Sequence, residues 1–217
     1  MKTKIVSLLL ALGLTTNAAF SGNSAQVGYT SDFFYRGAQK AEQSIQSSVS
    51  LGSAVGSVDL SANVSTNQAV DTGADSYQIA VGGGKSFSEG LLSVYAGINH
   101  FEDRPGDAIS ELEVGLSSNV LLNPSVSVFR DLDDSLYTVE LGLGHSVDLS
   151  VASLDLSASI GNTDLTDTTD RTYYAIGASV SKAVSDNAEV SVGVDYIDAD
   201  DLADREYVFG GALTINF

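Results

Sequence analysis

The sequence predicts an all-β fold, an antiparallel up-and-down transmembrane β-barrel of about twelve strands. Three observations predict this class. Apolar and polar residues alternate through most of the chain, which is the pattern of a strand with two different faces. The connections between these segments alternate between short ones and mostly longer, acidic ones, as in barrels with short periplasmic turns and longer extracellular loops. After an apolar run near the start, no stretch approaches the roughly 18 apolar residues that a transmembrane helix needs.

Residues 1–19 have the composition of a cleaved signal peptide, which leaves residues 20–217 as one barrel domain. Two lysines give a positive start, and residues 5–14 form an apolar run too short to span a bilayer as a helix. Small and polar residues follow, so that cleavage is expected near Ala18 or Ala19. A short buried helix is the alternative interpretation. A signal peptide with a barrel predicts export to the cell outer membrane of a Gram-negative bacterium.

Counting the alternating segments gives twelve predicted strands of about ten residues each. An even number suits a closed barrel, because in hydrocarbon every backbone N–H and C=O needs a partner and a closed sheet has no unpaired edge. The segments lie near residues 25–36, 43–53, 57–66, 76–87, 91–101, 109–120, 124–131, 135–147, 153–161, 171–184, 188–198 and 205–217.

A soluble β-sandwich or jelly roll also alternates, but three features favour the barrel. The polar faces consist mainly of Ser, Gly, Asn and carboxylates, without the Lys and Arg that are common on soluble strands. Lys85 and Lys182 share the apolar faces beside short turns, where their stems can reach the periplasmic interface. Aromatic residues of the apolar faces gather beside the longer connections, as in an interfacial girdle: Phe33, Tyr35, Tyr77, Tyr137, Tyr196, Tyr207 and Phe209.

The last predicted strand alternates up to an aromatic end. This pattern resembles the assembly signal of outer-membrane barrels, and the resemblance implies the barrel-assembly machinery as a partner. The residues concerned are Tyr207, Phe209, Leu213, Ile215 and Phe217.

Residues 27–37 read Val-Gly-Tyr-Thr-Ser-Asp-Phe-Phe-Tyr-Arg-Gly. They resemble the opening strand of TorF-type porins, the Gcw_chp family, in which Ser-Asp-aromatic is followed by aromatic-Arg-Gly, a polar loop and a second strand. The matching positions are Ser31, Asp32, Phe33, Tyr35, Arg36 and Gly37, with Gln46 in the next strand. The resemblance implies a small porin-like protein of the outer membrane.

Small residues dominate the positions that alternation turns inward. Eight strands leave a barrel interior that side chains just fill and sixteen leave an aqueous channel, so with twelve the size of the inward residues decides. A wet, open lumen is therefore expected, with a lumen filled by its own side chains as the alternative. The inward set includes Ser44, Ser48, Ser65, Gly82, Gly115 and Gly142.

Carboxylates outnumber basic residues among the predicted lumen-lining positions. An acidic wall raises the local concentration of cations and repels anions, so a pore here is expected to prefer cations or neutral polar solutes. In the alternative interpretation, the two arginines pair with Asp32, Glu140 or Glu206 and only hold the wall together. The charged lumen-lining residues are Asp32, Arg36, Asp59, Glu111, Glu113, Glu140, Asp155, Arg171, Glu189, Asp195 and Glu206.

The overall composition argues against several other functions. Ten Lys and Arg stand against 28 Asp and Glu, for a formal charge of −18, so nucleic-acid binding is not expected. No cysteine is present, and no zinc spacing, phosphate loop or Gly-x-Ser-x-Gly elbow was found, so neither a cofactor, a metal centre nor catalysis is expected. His100 and His145 are interpreted as interfacial residues, although a lipid-modifying barrel enzyme is a third hypothesis.

Acidic residues crowd the longer connections, for example Asp198, Asp200, Asp201 and Asp204. A solvated acidic rim is the simpler interpretation, and a rim that binds divalent cations bridging to lipopolysaccharide is the alternative. The sequence as a whole thus predicts a porin-like protein for passive diffusion of small polar or cationic solutes, surrounded by outer-membrane lipid and lipopolysaccharide. A non-conducting structural or adhesive surface barrel is the alternative.

Overall fold

The computed structural model describes residues 22–70, 75–104, 106, 108–166, 168–200, 202 and 205–217. The predicted signal peptide lies outside these residues. Twelve antiparallel strands close into a barrel in which each strand pairs with its sequence neighbours and the first pairs with the last, which confirms the predicted fold. The strands are β1 Ser24–Tyr35, β2 Ala38–Val55, β3 Val58–Ala69, β4 Asp75–Phe87, β5 Leu92–Arg104, β6 Ala108–Ser118, β7 Ser125–Asp131, β8 Tyr137–Asp148, β9 Ser153–Thr166, β10 Thr169–Ala183, β11 Ala188–Ala199 and β12 Glu206–Asn216.

The seam between β1 and β12 runs from the pair Ser24 and Asn216 to the pair Thr30 and Gly210. One end of the barrel carries the connections β1–β2, β3–β4, β5–β6, β7–β8, β9–β10 and β11–β12, and is called the loop end. The other end carries the remaining connections and the start of β1, and is called the turn end. Across the described residues, the chain forms no helix long and apolar enough to cross a membrane.

The outer surface of the barrel is apolar. Large aliphatic side chains alternate outward along every strand and are widely exposed, as Val81, Leu141 and Val192 illustrate at 55%, 52% and 58%. A soluble protein would not expose so much contiguous apolar surface to water. Lipid accepts it, and the closed ladder satisfies the strands' backbone groups within the protein.

Four strands extend three or more residues past their predicted bounds at the loop end. β2 begins at Ala38, β3 continues to Ala69, β5 continues to Arg104, and β9 continues to Thr166. The largest difference concerns residues 37–42, which were expected to form a polar loop. Arg36 and Gly37 instead have φ of 50° and 76°, as the two central residues of a tight type I′ hairpin turn require.

The β1–β2 hairpin leaves the barrel wall before it turns. The β1–β12 ladder ends at Thr30, and the β2–β3 ladder begins at Ser44. Between these two residues the strands pair only with each other, with a register shift between Phe33 and Phe34. Residues 31–43 therefore form a two-stranded ribbon without ladder partners in the wall, hereafter the β1–β2 ribbon.

Candidate functional site

The predicted lumen-lining residues occupy inward positions of the wall or belong to the ribbon. Asp59, Glu189 and Glu206 are half-buried beside outward apolar neighbours, whereas Glu111, Glu113, Glu140, Asp155 and Asp195 are buried. Arg171 lies on the same face of β10 as the buried Tyr173 and Ala175. Asp32 belongs to the ribbon, where its Oδ1 accepts a 2.9 Å hydrogen bond from Gln39. Their effect on solute passage stays a prediction.

The turn of the ribbon lies inside the mouth of the barrel. Gly37 is buried, and a Cβ placed on it would lie 2.6 Å from Cβ of Tyr173 and 3.2 Å from Cβ of Ala199. These two residues belong to β10 and β11, which are not neighbours of either ribbon strand in the ring. The ribbon therefore bends inward until its turn packs against the inner face of other strands.

Arg36 reaches across the lumen from this turn. Its guanidinium forms a two-pronged ion pair with Glu111 on β6, in which Nη2 lies 2.5 Å from Oε2 and Nη1 bonds Oε1. Nη1 also donates to Thr138 Oγ1 on β8 at 3.1 Å, and the guanidinium lies 4.2 Å from the ring centroid of Phe129 on β7. β6 and β7 stand opposite β1 in a ring of twelve, so one side chain links the two sides of the barrel.

Aromatic residues fill the space beside this ion pair. The Tyr35 ring stacks on Phe101 with centroids 4.2 Å apart, and its hydroxyl donates to Glu111 Oε2 at 3.2 Å. Phe34 packs with Ala175, Ile197 and Val208 on the inner faces of β10, β11 and β12. Tyr35 was expected in the outward girdle, which is wrong. The register shift after Phe33 breaks the alternation, so that Phe34 and Tyr35 are both buried.

Two further carboxylates lie on the same face of the wall. Tyr173 on β10 donates its hydroxyl to Glu140 on β8, across Gly161 on the intervening strand β9. Glu113, two positions from Glu111 toward the turn end, accepts a 3.1 Å hydrogen bond from the Asn99 amide.

A second ion pair links the ribbon to the wall. Lys40 Nζ of the ribbon lies 2.7 Å from Asp103 Oδ2 on β5.

The ribbon occupies part of the lumen at the loop end and contacts the inner faces of strands on several sides of the ring. Phe34 and Phe129 are 0% exposed, and Tyr173 is 1% exposed. Large side chains therefore narrow the lumen at this level, and its openness stays a prediction. Of the small inward residues, Gly82, Gly115 and Gly142 lie nearer the turn end than the ribbon, whereas the ribbon adds large side chains of its own.

Below the ribbon, glycines leave room for one inward tyrosine. The hydroxyl of Tyr95 lies over Gly82 on β4 and Gly97 on β5, where Cβ atoms would overlap it. Nearer the turn end, Asp155 accepts a hydrogen bond from Ser146 on the neighbouring strand.

A polar cluster that the sequence pattern did not predict lies on the outer face of β4–β6. His100 Nδ1 lies 3.0 Å from Ser110 Oγ, and its Nε2 lies 4.0 Å from Glu102 Oε2. Glu102 is held by the Tyr77 hydroxyl and by Arg104 Nε at 2.9 Å. The pairing of His100 with Ser110 depends on the register between β5 and β6, which the sequence does not determine. Its place beside Tyr77 agrees with an interfacial role for His100.

Several carboxylates of the loop end serve as local hydrogen-bond acceptors. Asp131 Oδ1 accepts from the backbone of Asp133 and Asp134 at 2.7 and 3.1 Å, and Asp164 accepts from the backbone of Tyr137 at 3.1 Å. Within the described residues, no group of three or more His, Cys, Asp or Glu is placed to hold a metal ion.

Comparison by sequence identifies no relative. No protein-family model matches the chain, and no curated protein matches it. The resemblance of residues 27–37 to TorF-type porins therefore stays a prediction.

Comparison by structure identifies other β-barrels. An outer membrane channel from Pseudomonas putida F1 superposes with a TM-score of 0.65 at 9% identity, covering 100% of both chains. The KdgM porin superposes with 0.60 at 10% identity over 89% of this chain and 99% of its own. The outer membrane phospholipase A from Escherichia coli superposes with 0.54 at 12% identity over 91% and 90%. The chain thus has the fold of outer-membrane β-barrels, and this fold together with the apolar outer surface places it in the outer membrane.

Proposed function

We propose that the protein is a porin-like channel for passive diffusion of small polar or cationic solutes. The observation that carries this proposal is the closed ring of twelve strands with small and acidic residues on its inner face. Eight strands leave an interior that side chains just fill, whereas twelve leave additional room. The resemblance to TorF-type porins and the superposition on channels support the same proposal.

The charge of the inner face sets the preferred solute. Glu111 and Glu140 lie beside Arg36, while Asp155, Asp195 and Asp59 lie nearer the middle or turn end of the wall. A surface of one sign inside low-dielectric walls concentrates counter-ions and repels co-ions. Cations and neutral polar solutes are therefore expected to pass in preference to anions.

Planar-bilayer recording of the refolded protein tests the proposal. We expect ohmic conductance with a reversal potential, under a salt gradient, on the cation-selective side. Anion selectivity would refute the argument from charge, and silence of both the native protein and variants with a weakened ribbon would refute passage altogether.

A non-conducting surface barrel is the second candidate. The observation that favours it is the burial of Arg36, Phe129 and Tyr173 in the lumen at the loop end. Its partner would be lipopolysaccharide or an external ligand at the acidic loop end. Binding to lipopolysaccharide vesicles, measured with and without a chelator of divalent cations, tests this role, and equal binding to vesicles lacking lipopolysaccharide would argue against it.

A further inference from the structure

We infer that the β1–β2 ribbon is a gate, closed in this structure and held shut by the ion pair between Arg36 and Glu111. The inference rests on the proposed function, because a gate has meaning only if solutes pass through the lumen.

The ribbon is separable from the wall. Its strands have no ladder partners beyond Thr30 on one side and Ser44 on the other. The last links at its base are the bonds from Phe209 N to Ser31 Oγ at 3.0 Å and from Val70 N to Gln43 O at 2.7 Å. An isolated two-stranded hairpin is only marginally stable, so contacts inside the lumen decide where the ribbon lies.

The base of the ribbon has the geometry of a hinge. Gln43 has a φ of 45°, which is uncommon for a residue other than glycine, and the register shift between Phe33 and Phe34 lies just beyond. A bulge increases the local twist and bends the strand pair. Rotation at this base would carry the turn out of the mouth without breaking a hydrogen bond of the barrel wall.

One charged contact dominates the closed position. The fork of Arg36 is matched to both oxygens of Glu111, and both side chains are about 5% exposed. Lys40 and Asp103 also link the ribbon to the wall, but their side chains are more than a quarter exposed, where an ion pair contributes little. The buried pair against β6 is therefore the charged contact whose loss should release the ribbon.

Loss of either partner should favour the open position. Removing Arg36 would leave Glu111 buried without its cation as long as the ribbon stays closed, whereas an open lumen lets water reach Glu111. Breaking a buried pair from one side should shift the closed-to-open ratio by about a hundredfold or more. Lysine keeps the charge but not the two-pronged geometry, so R36K should have an intermediate effect.

Single-channel recording of refolded R36A, R36K and native protein tests the gate. We expect the fraction of time in the conducting state to rise in the order native, R36K, R36A. The matched control is R104A, which removes an arginine–glutamate pair with a 2.9 Å contact on the outer face and should leave gating unchanged. Heat-dependent mobility on gels verifies that each variant is folded.

A charge swap gives an independent test. R36E and E111R should each open the channel, because each places like charges together, and the double variant should close it again in part. Equal open fractions in native, R36A and the swap variants would overturn the gate while leaving passage intact. Silence of every variant would refute passage itself and the gate with it.

Discussion

Thr30 and Ser44 face each other across β1 and β2 at the point where both strands leave the barrel wall. Both are almost fully buried, at 1% and 0%, but their hydroxyl groups differ. Thr30 Oγ1 donates a 2.7 Å bond to the carbonyl oxygen of Asp32, whereas Ser44 Oγ has no hydrogen-bond partner in the described part of the chain.

This difference predicts unequal effects of two similar substitutions. T30V removes the bond to Asp32 and should lower the free energy of unfolding by about 1 kcal/mol. The Ser44 hydroxyl is buried without a hydrogen bond, so the S44A substitution should leave the free energy of unfolding unchanged or raise it slightly. Urea titration of the protein in lipid vesicles measures both, and equal losses would contradict the assignment.

Gly37 has no room for a side chain. G37A adds a methyl group that overlaps the Tyr173 side chain and forces alanine into a left-handed conformation costing about 1–2 kcal/mol. The ribbon turn should therefore leave the lumen, and the open fraction in bilayer recordings should rise.

Gly56 provides the matched control for this strain. It has a φ of 64° in the β2–β3 turn and nothing within 4 Å of its hypothetical Cβ. G56A should thus carry the backbone cost alone and leave the open fraction at the native value. A rise of equal size in G56A would show that the contact with Tyr173 is irrelevant.

Adjacent residues of β11 test which face of the wall meets lipid. Val192 is exposed on the outer face near the middle of the strand, and Ser191 is half-buried on the inner face. V192K should cost about 2–4 kcal/mol of unfolding free energy in vesicles, as charged residues do at the lipid midplane. S191K should cost much less, and the reverse order would mean that the faces are exchanged.

Lumen charge is tested by two pairs of neutral substitutions that change the net charge of the protein by the same amount. D155N with D195N removes two carboxylates from the inner face, and D133N with D134N removes two from the exposed β7–β8 connection. At about 0.1 M salt, charges farther than roughly 10 Å from the ion path are screened. The first pair should lower cation selectivity clearly and the second hardly at all, as measured by reversal potentials.

The strands and their two faces could be predicted because alternation is a local property. Val190, Val192 and Val194 form one face in the sequence pattern without knowledge of any neighbour, and the closed ring was predicted because a sheet in lipid cannot leave an edge unpaired. The ribbon could not be predicted in this way, because its position depends on residues such as Glu111 and Phe129 in distant strands. One local signal was present: Phe33, Phe34 and Tyr35 are consecutive aromatic residues and interrupt the alternation.

The candidate site likewise combines residues that the sequence identified with contacts that only the fold determines. Alternation identified Glu111 and Arg36 separately as inward residues, but the partners considered for the arginines were Asp32, Glu140 and Glu206, and the structure instead pairs Arg36 with Glu111. The pairing needs the ribbon to fold inward, which reverses the orientation expected for Tyr35. The pair of His100 and Ser110 likewise depends on the register between β5 and β6.

The contact between Arg36 and Phe129 also bears on the order of the folding steps. The ribbon belongs to the first hairpin, but its contacts come from β5–β8 and β10–β12, which curve around it only after the β1–β12 seam has closed. Because the ribbon contacts strands on both sides of the ring, we expect its docking to be a late step of folding. The chain contains no tryptophan, so a single F129W substitution would give a fluorophore beside Arg36 that reports on this docking.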